Sequence, residues 1–192
     1  MNILTLIQGR RTIRKYIRRK VSRRIIGKLI DAARWAPSPH NSQPWYFVVV
    51  LNEKIKYEFC ALLRKGDGRL LTSANILLKK TADIIDGAPV VIFVYNTHDF
   101  LKRNENLGDL YANVSLLAEI QSIGAAIENI CLLSTSFDLG VAWLNMPLLM
   151  TSDVNKILNM DGELVAVLAL GYYEEKEMRR TRKPIKEIVK LM

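Results

Sequence analysis

The segment Ala36-Pro37-Ser38-Pro39-His40-Asn41-Ser42-Gln43-Pro44-Trp45 is the most informative stretch of this chain. Pro37 and Pro39 forbid continuation of any helix that precedes them, and Pro44 pushes Gln43 out of helical geometry. A rigid, extended loop is the expected result. Prolines also lower the entropy of the free loop, so its hydroxyl and amide groups are presented at fixed positions. Asn41 and Gln43 each carry a donor and an acceptor, the combination that complements a heterocycle edge bearing carbonyls and an imide N–H. A structural turn, with Asn and Ser capping nearby backbone, accounts for the same residues equally well. His40 reads as an exposed loop residue and Trp45 as core.

Working outward, Ile25, Ile26, Leu29, Ile30 and Ala33 recur at helical spacing while Arg23, Arg24, Lys28, Asp31 and Arg34 take the other faces. The spacing predicts an amphipathic helix from Ser22 to Trp35 with Ser22 as N-cap. After the loop, Trp45 to Leu51 is aromatic and β-branched and reads as a buried strand. Helices are expected over Glu53 to Lys65 and Leu70 to Thr81, separated by the turn Gly66-Asp67-Gly68. Pro89 to Tyr95, Val141 to Leu144 and Leu164 to Leu170 read as further strands, with a short helix near Ser152 to Leu158. Between Asp109 and Asp138 only Glu119 and Glu128 are charged in the interior, so this helix must be buried on several sides, as the centre of the core or a subunit interface. Gly140 is placed near its stop. The alternation of elements predicts an α+β layer structure.

The 192 residues, 49% hydrophobic and 24% charged, suit one globular domain over 1–192. Apolar runs such as Leu164 to Leu170 are much shorter than the roughly 18 residues of a membrane span, so no membrane partner is expected. Met1 to Gln8 runs straight into Arg10 and Arg11 without an apolar export segment. Cys60 and Cys131 are far apart within apolar patterns, which fits buried free thiols and a cytoplasmic protein. His40 and His98 are the only histidines and no CxxC or HExxH occurs, so a metal centre is not expected. The net charge of +9 concentrates at Arg10 to Lys28 and Arg179 to Lys190. Without a recognisable nucleic-acid motif, a nucleic-acid partner is not expected.

Arg10-Arg11-Thr12-Ile13-Arg14, ahead of Tyr16, sets three guanidinium groups and a hydroxyl within five residues. Such a set can hold a phosphate, although a solvated basic face is the commoner reason for such a run. Taken together, RRTIRKY and DAARWAPSPHNSQPWYFVVV resemble the RRSxRxF and APSxxNxQPWxFxVV pattern of the nitroreductase family, in the same order. Gly124-Ala125-Ala126-Ile127-Glu128-Asn129 is similar to its GAAxQN, Leu139-Gly140 and Trp143 to its GLGxxW, and Gly171-Tyr172 with Arg182-Lys183-Pro184 to its GYP and RKP ending. The chain departs from the family pattern in Glu128 for glutamine, a single glycine at Leu139-Gly140, and the missing Pro-Xaa-Glu-Gly near Pro147.

The resemblance implies a nitroreductase-like three-layer fold, a central, mostly antiparallel sheet flanked by helices, and an intertwined homodimer. Each of two FMN sites would be built from both subunits. Arg10, Arg11, Thr12 and Arg14 would hold the phosphate, ribityl chain and N1–O2 edge, with Arg180 and Arg182 returning to the phosphate. Pro37, Ser38, Pro39, Asn41 and Gln43 would lie along the isoalloxazine of the partner's flavin. Residues 172–192 would form an arm packing on the partner. The implied activity is a ping-pong hydride transfer from NADH or NADPH through flavin N5 to a small-molecule acceptor, a nitroaromatic or quinone. Related folds also support dehalogenation, enoate or azoline oxidation and flavin cleavage, and flavin binding without turnover is a further alternative. With a flavin supplying the redox chemistry, the absence of a protein nucleophile or acid–base pair is consistent with an enzyme.

Overall fold

A computed structural model describes residues 2–175 and 181–192. Its helices are α1 (Ile3–Gly9), α2 (Arg23–Ala33), α3 (Glu53–Lys65), α4 (Thr72–Gly87), α5 (Asp99–Arg103), α6 (Asp109–Thr135) and α7 (Thr151–Leu158). The strands β1 (Trp45–Val50), β2 (Val90–Asn96), β3 (Leu139–Leu144) and β4 (Glu163–Tyr172) form one sheet in the order β1-β2-β4-β3, antiparallel throughout.

The period-two alternation of the strands sorts their side chains into two cores. Val90, Ile92 and Val94 of β2, with Ala166, Leu168 and Leu170 of β4, pack under Ile26 and Leu29 of α2 and Ile123, Ile127 and Ile130 of α6. Val91, Phe93 and Tyr95, with Val167 and Ala169, face Phe59 and Leu63 of α3, Leu78 and Ile85 of α4 and Val154 of α7. Helix layer, sheet and helix layer form the expected three-layer α+β arrangement. β2 is buried along its whole length, which is why its sequence is continuously apolar rather than alternating.

Ser22 caps α2 as its sequence position predicts, its Oγ accepting from Ile25 N at 3.3 Å. α3 has its expected bounds, whereas α4 begins at Thr72 and continues to Gly87, beyond the Leu70 to Thr81 stretch. The later end follows from Ala82 and Ile85, which keep the apolar face buried for another turn. Helices α1 and α5 are too short to carry a readable period. Asn2 caps α1 by accepting from Leu4 N at 2.7 Å.

α6 divides into two regimes. Its C-terminal half buries Ile123, Ala126, Ile127, Ile130 and Cys131, while Leu110, Val114 and Leu117 of the N-terminal half are exposed. Among the described helices it alone is long and apolar enough to cross a membrane. Its burial against α2 and the sheet accounts for that composition. The helix ends at Thr135, and Asp138 takes a left-handed φ of 56° before β3. Gly140 is therefore not the helix stop. It lies inside β3, where a Cβ would stand 2.3 Å from Cγ1 of Ile13.

Candidate functional site

The basic motif at the N-terminus is fastened along β3, the edge strand of the sheet. Thr12 bridges Val141 in parallel, Ile13 N donates to Val141 O at 3.1 Å and Ile17 N donates to Tyr172 O at 2.9 Å. The Tyr16 hydroxyl lies 2.6 Å from Ile13 O and 2.8 Å from Ala169 O. Ile13 fills the space left by the missing side chain of Gly140 and is buried. Side chains alternate along extended backbone, so burying Ile13 turns Thr12 and Arg14 the other way. Arg14 is exposed and borders a cavity of about 460 Å³ together with Lys15, Tyr16 and Glu174.

The other arginines of the motif sets that the structure describes, Arg10, Arg11 and Arg182, separate. Arg10 is half-buried and its Nε lies 3.0 Å from Oε1 of Glu128 on α6. Arg11 turns back onto its own helix end, Nη1 donating to Gln8 O at 2.7 Å and to Arg10 O at 2.6 Å. Those bonds satisfy carbonyls that helix termination leaves open, so Arg11 serves α1 in this arrangement. Arg182 is exposed in the C-terminal segment, and Arg180 lies outside the described residues.

The Pro37–Gln43 loop is not extended. Pro39–Asn41 is a short 3-10 turn, and His40, Asn41 and Gln43 have φ of 48°, 52° and 50°. Three non-glycine residues in the left-handed region within four positions is an uncommon concentration. Such conformations persist where the surroundings over-determine them, and here the hydrogen bonds are local. Asn41 N donates to Ser38 O, Ser42 N to Pro39 O, and Gln43 N to Ser38 Oγ at 3.0 Å. Ser38 is thus a brace of the turn, the structural role its residue type also allowed.

Asn41 and Gln43 behave differently. Both are exposed, and their side-chain amides make no hydrogen bond among the described residues. The Oγ of Ser42 is buried and likewise meets no partner among them. Pro37, Ser38 and Pro39 border a depression of about 320 Å³ against Gln121, Ser122 and Ala125 of α6. The basic motif and the loop therefore stand at different turns of the same helix, one at Glu128 and the other at Ala118 to Ala125.

Behind the loop lies a polar network not anticipated from the sequence. The carboxylate of Glu119, fully buried in α6, accepts from Phe100 N at 2.8 Å, Leu101 N at 3.0 Å and Asn96 Nδ2 at 3.1 Å. His98 lies between Glu119 and Glu163, with ring nitrogens 3.5 Å and 3.4 Å from their oxygens. Phe100, positioned by these bonds, stacks on His40 with ring centroids 5.5 Å apart and planes 17° from parallel. His40 keeps its exposed position, but the stack ties the turn to the core. A glutamate in an apolar helix is the available signal; its partners come from the end of β2 and the first turn of α5, distant in the chain, which a local pattern does not reveal.

The two thiols are inert groups of the core. Burial pushes Cys60 up to about 11 and Cys131 up to about 12. Among the described residues no cluster of His, Cys, Asp or Glu is suited to a metal ion.

Residues 7–172 match the Nitroreductase family. A protein of Methanothermobacter thermautotrophicus named as an NADH dehydrogenase/NAD(P)H nitroreductase is 44% identical over 55 residues, 29% of this chain and 29% of that protein. The alignments span less than half the length of the curated relatives. Among solved structures, a BluB-like flavoprotein of Clostridium difficile 630 superposes with a TM-score of 0.81 at 26% identity, covering 100% of this chain and 99% of that one. A nitroreductase from Desulfovibrio desulfuricans in complex with FMN gives 0.74 at 24% identity, covering 98% and 95%. The match through the basic motif, the proline-bounded loop and the sheet that carries them makes this chain a member of the nitroreductase family.

Proposed function

We propose that this chain is a single-domain subunit of a homodimeric, FMN-dependent NAD(P)H oxidoreductase that reduces a small-molecule acceptor, a nitroaromatic or quinone, by a ping-pong cycle. The observation that carries this reading is the basic motif fastened to β3, with Thr12 and Arg14 turned outward by the seating of Ile13 on Gly140. The donor set suits FMN. Arg10 and Arg14, joined by Arg182 and Arg180, supply the charge a phosphate and an N1–O2 edge require. Asn41 and Gln43 have unengaged amides, and Ser42 an orphaned buried hydroxyl, as a loop that meets a heterocycle edge would have. The flavoprotein relative, at 26% identity, supports a flavin in this site.

When bound, the flavin supplies hydride acceptance and donation at N5. This chain's residues would do the rest: Arg10 and Arg182 fix the phosphate, Arg14 places positive charge by the N1–O2 edge, and the left-handed turn aims Asn41 and Gln43. Exposed apolar side chains support the dimer. Ile3, Leu4 and Ile7 of α1, Leu110, Val114 and Leu117 of α6, and Ile185, Ile188 and Leu191 of the C-terminal arm are exposed among the described residues. A second copy would cover them, and the family resemblance is what sets that copy's Pro37–Gln43 loop against the basic motif. Two protonated, buried thiols suit a reducing, cytoplasmic setting.

Adding NADH or NADPH anaerobically to the purified yellow protein is expected to bleach its flavin absorbance, and a nitroaromatic or quinone to restore it. No bleaching by either nucleotide rejects the reductase. Arg10→Ala and Arg182→Ala are each expected to weaken FMN by about 2 kcal/mol or more, from loss of charged hydrogen bonds. Unchanged affinity in both rejects the phosphate site, and a monomer in sedimentation at micromolar concentration rejects the dimer.

A further inference from the structure

Glu128 stands where the family pattern carries glutamine, and its side chain meets Arg10. Oε1 lies 3.0 Å from Arg10 Nε, with 33% of the arginine and 37% of the glutamate side chain exposed. A glutamine at 128 could accept the same hydrogen bond through its amide oxygen, so the substitution changes the charge and not the bonding pattern. Nε lies at the inner end of the guanidinium fork. Occupying it orients the plane and leaves the two terminal nitrogens available to an anion.

We propose that Glu128 lowers the affinity for the flavin phosphate by neutralising Arg10, and so reduces the chain's discrimination of FMN from riboflavin. The inference rests on the reading of Arg10 as a phosphate ligand. With Glu128 ionised, the Arg10–Glu128 pair contributes no net charge where the glutamine pattern would contribute one positive charge. A phosphate carrying between one and two negative charges meets the carboxylate one side chain beyond the guanidinium. At that separation, in partly solvated surroundings, a unit charge alters a dianion's affinity by about tenfold. The isoalloxazine and ribityl groups are uncharged and do not register the change. A site with this pair holds FMN loosely enough to exchange it.

Dissociation constants of FMN and riboflavin for the apoprotein, from quenching of flavin fluorescence, test the proposal in the wild type, Glu128→Gln, Glu128→Ala and Arg10→Ala. Glu128→Gln is expected to bind FMN about tenfold more tightly, to bind riboflavin as the wild type does, and to be more sensitive to competition by inorganic phosphate. Glu128→Ala removes charge and orientation together and is expected to gain less. An FMN affinity in Glu128→Gln equal to or weaker than wild type overturns the proposal, as does an equal gain for riboflavin. If Glu128→Gln fails to fold, no gain in the FMN-to-riboflavin ratio in Glu128→Ala overturns it. Arg10→Ala separates the two readings: unchanged FMN affinity there defeats the reading of Arg10 as a phosphate ligand on which this proposal rests, whereas loss there without a gain in Glu128→Gln defeats only the role of Glu128.

Discussion

Replacing Glu119 perturbs the most deeply buried charge among the described residues, and the structure sets the scale of the effect. Its carboxylate satisfies the N–H groups of Phe100 and Leu101 and one hydrogen of the Asn96 amide. Glu119→Ala orphans both backbone donors. At about 1–3 kcal/mol for each unsatisfied buried group, plus the lost Asn96 bond, the cost is about 3–6 kcal/mol. That is a large part of the about 5–15 kcal/mol by which a domain is stable. Glu119→Gln keeps one acceptor oxygen for the backbone donors but loses charge assistance and turns an NH2 toward the NH2 of Asn96, costing about 1.5–3 kcal/mol. Urea unfolding followed by circular dichroism measures both, and thermal unfolding of Glu119→Gln should fall by about 3–12 °C for a chain of this size. FMN binding should weaken alongside, because α5 carries Phe100 and Phe100 stacks on His40 in the proline-bounded turn. A Glu119→Ala protein within about 1 kcal/mol of wild type would refute the network's role in stability. Failure of that variant to fold leaves Glu119→Gln to decide: no loss of stability in it refutes the same reasoning.

Gly140→Ala is expected to cost about 1–3 kcal/mol, because the new methyl would meet Ile13 inside contact distance; limited proteolysis should then cut the first 20 residues sooner, and unchanged protection would oppose the fit described for Ile13. Asn41→Gly keeps the left-handed φ of 52° and removes the amide, so it should retain stability while FMN affinity falls; Asn41→Ala should lose about 1 kcal/mol of stability as well. Stability should decline in alkali. Both thiols have folded values raised above their ordinary 9.0, to about 11 and about 12. Below pH 9 both states are protonated and nothing is lost; above it the unfolded chain releases protons that the folded chain retains, favouring unfolding. Chemical denaturation between pH 8 and 10 should show this loss and Cys60→Ser/Cys131→Ser should diminish it; above pH 10 the Tyr95 phenol, pushed by burial to about 12, adds a loss of the same sign that the double variant keeps.

Much of the architecture was legible because it rests on local rules. Ser22 capped its helix, the β-branched runs became strands, and the charge-poor span from Asp109 became the long helix against the sheet. Elements fixed by distant partners were not legible. Proline biases its predecessor toward extended geometry, so the sequence alone predicts an extended loop; Ser38 and the His40–Phe100 stack hold three residues left-handed instead. Glycine commonly ends helices, which in the sequence alone places Gly140 at a stop, whereas its requirement comes from Ile13, 127 positions away in the chain and packed on the same strand.

The sequence by itself determined the succession of helices and strands of an α+β layer structure, because periodicity, capping and turn chemistry act over a few residues, and its motifs carried the resemblance that implied three layers and a shared site. Tertiary structure decided what each group does there. Of the first three arginines of the basic motif, Arg10 pairs with Glu128, Arg11 closes its own helix and Arg14 faces a cavity. Sequence assigns all three the same charge; the strand edge that turns alternate side chains to opposite faces, and the helix that brings Glu128 to Arg10, make them different.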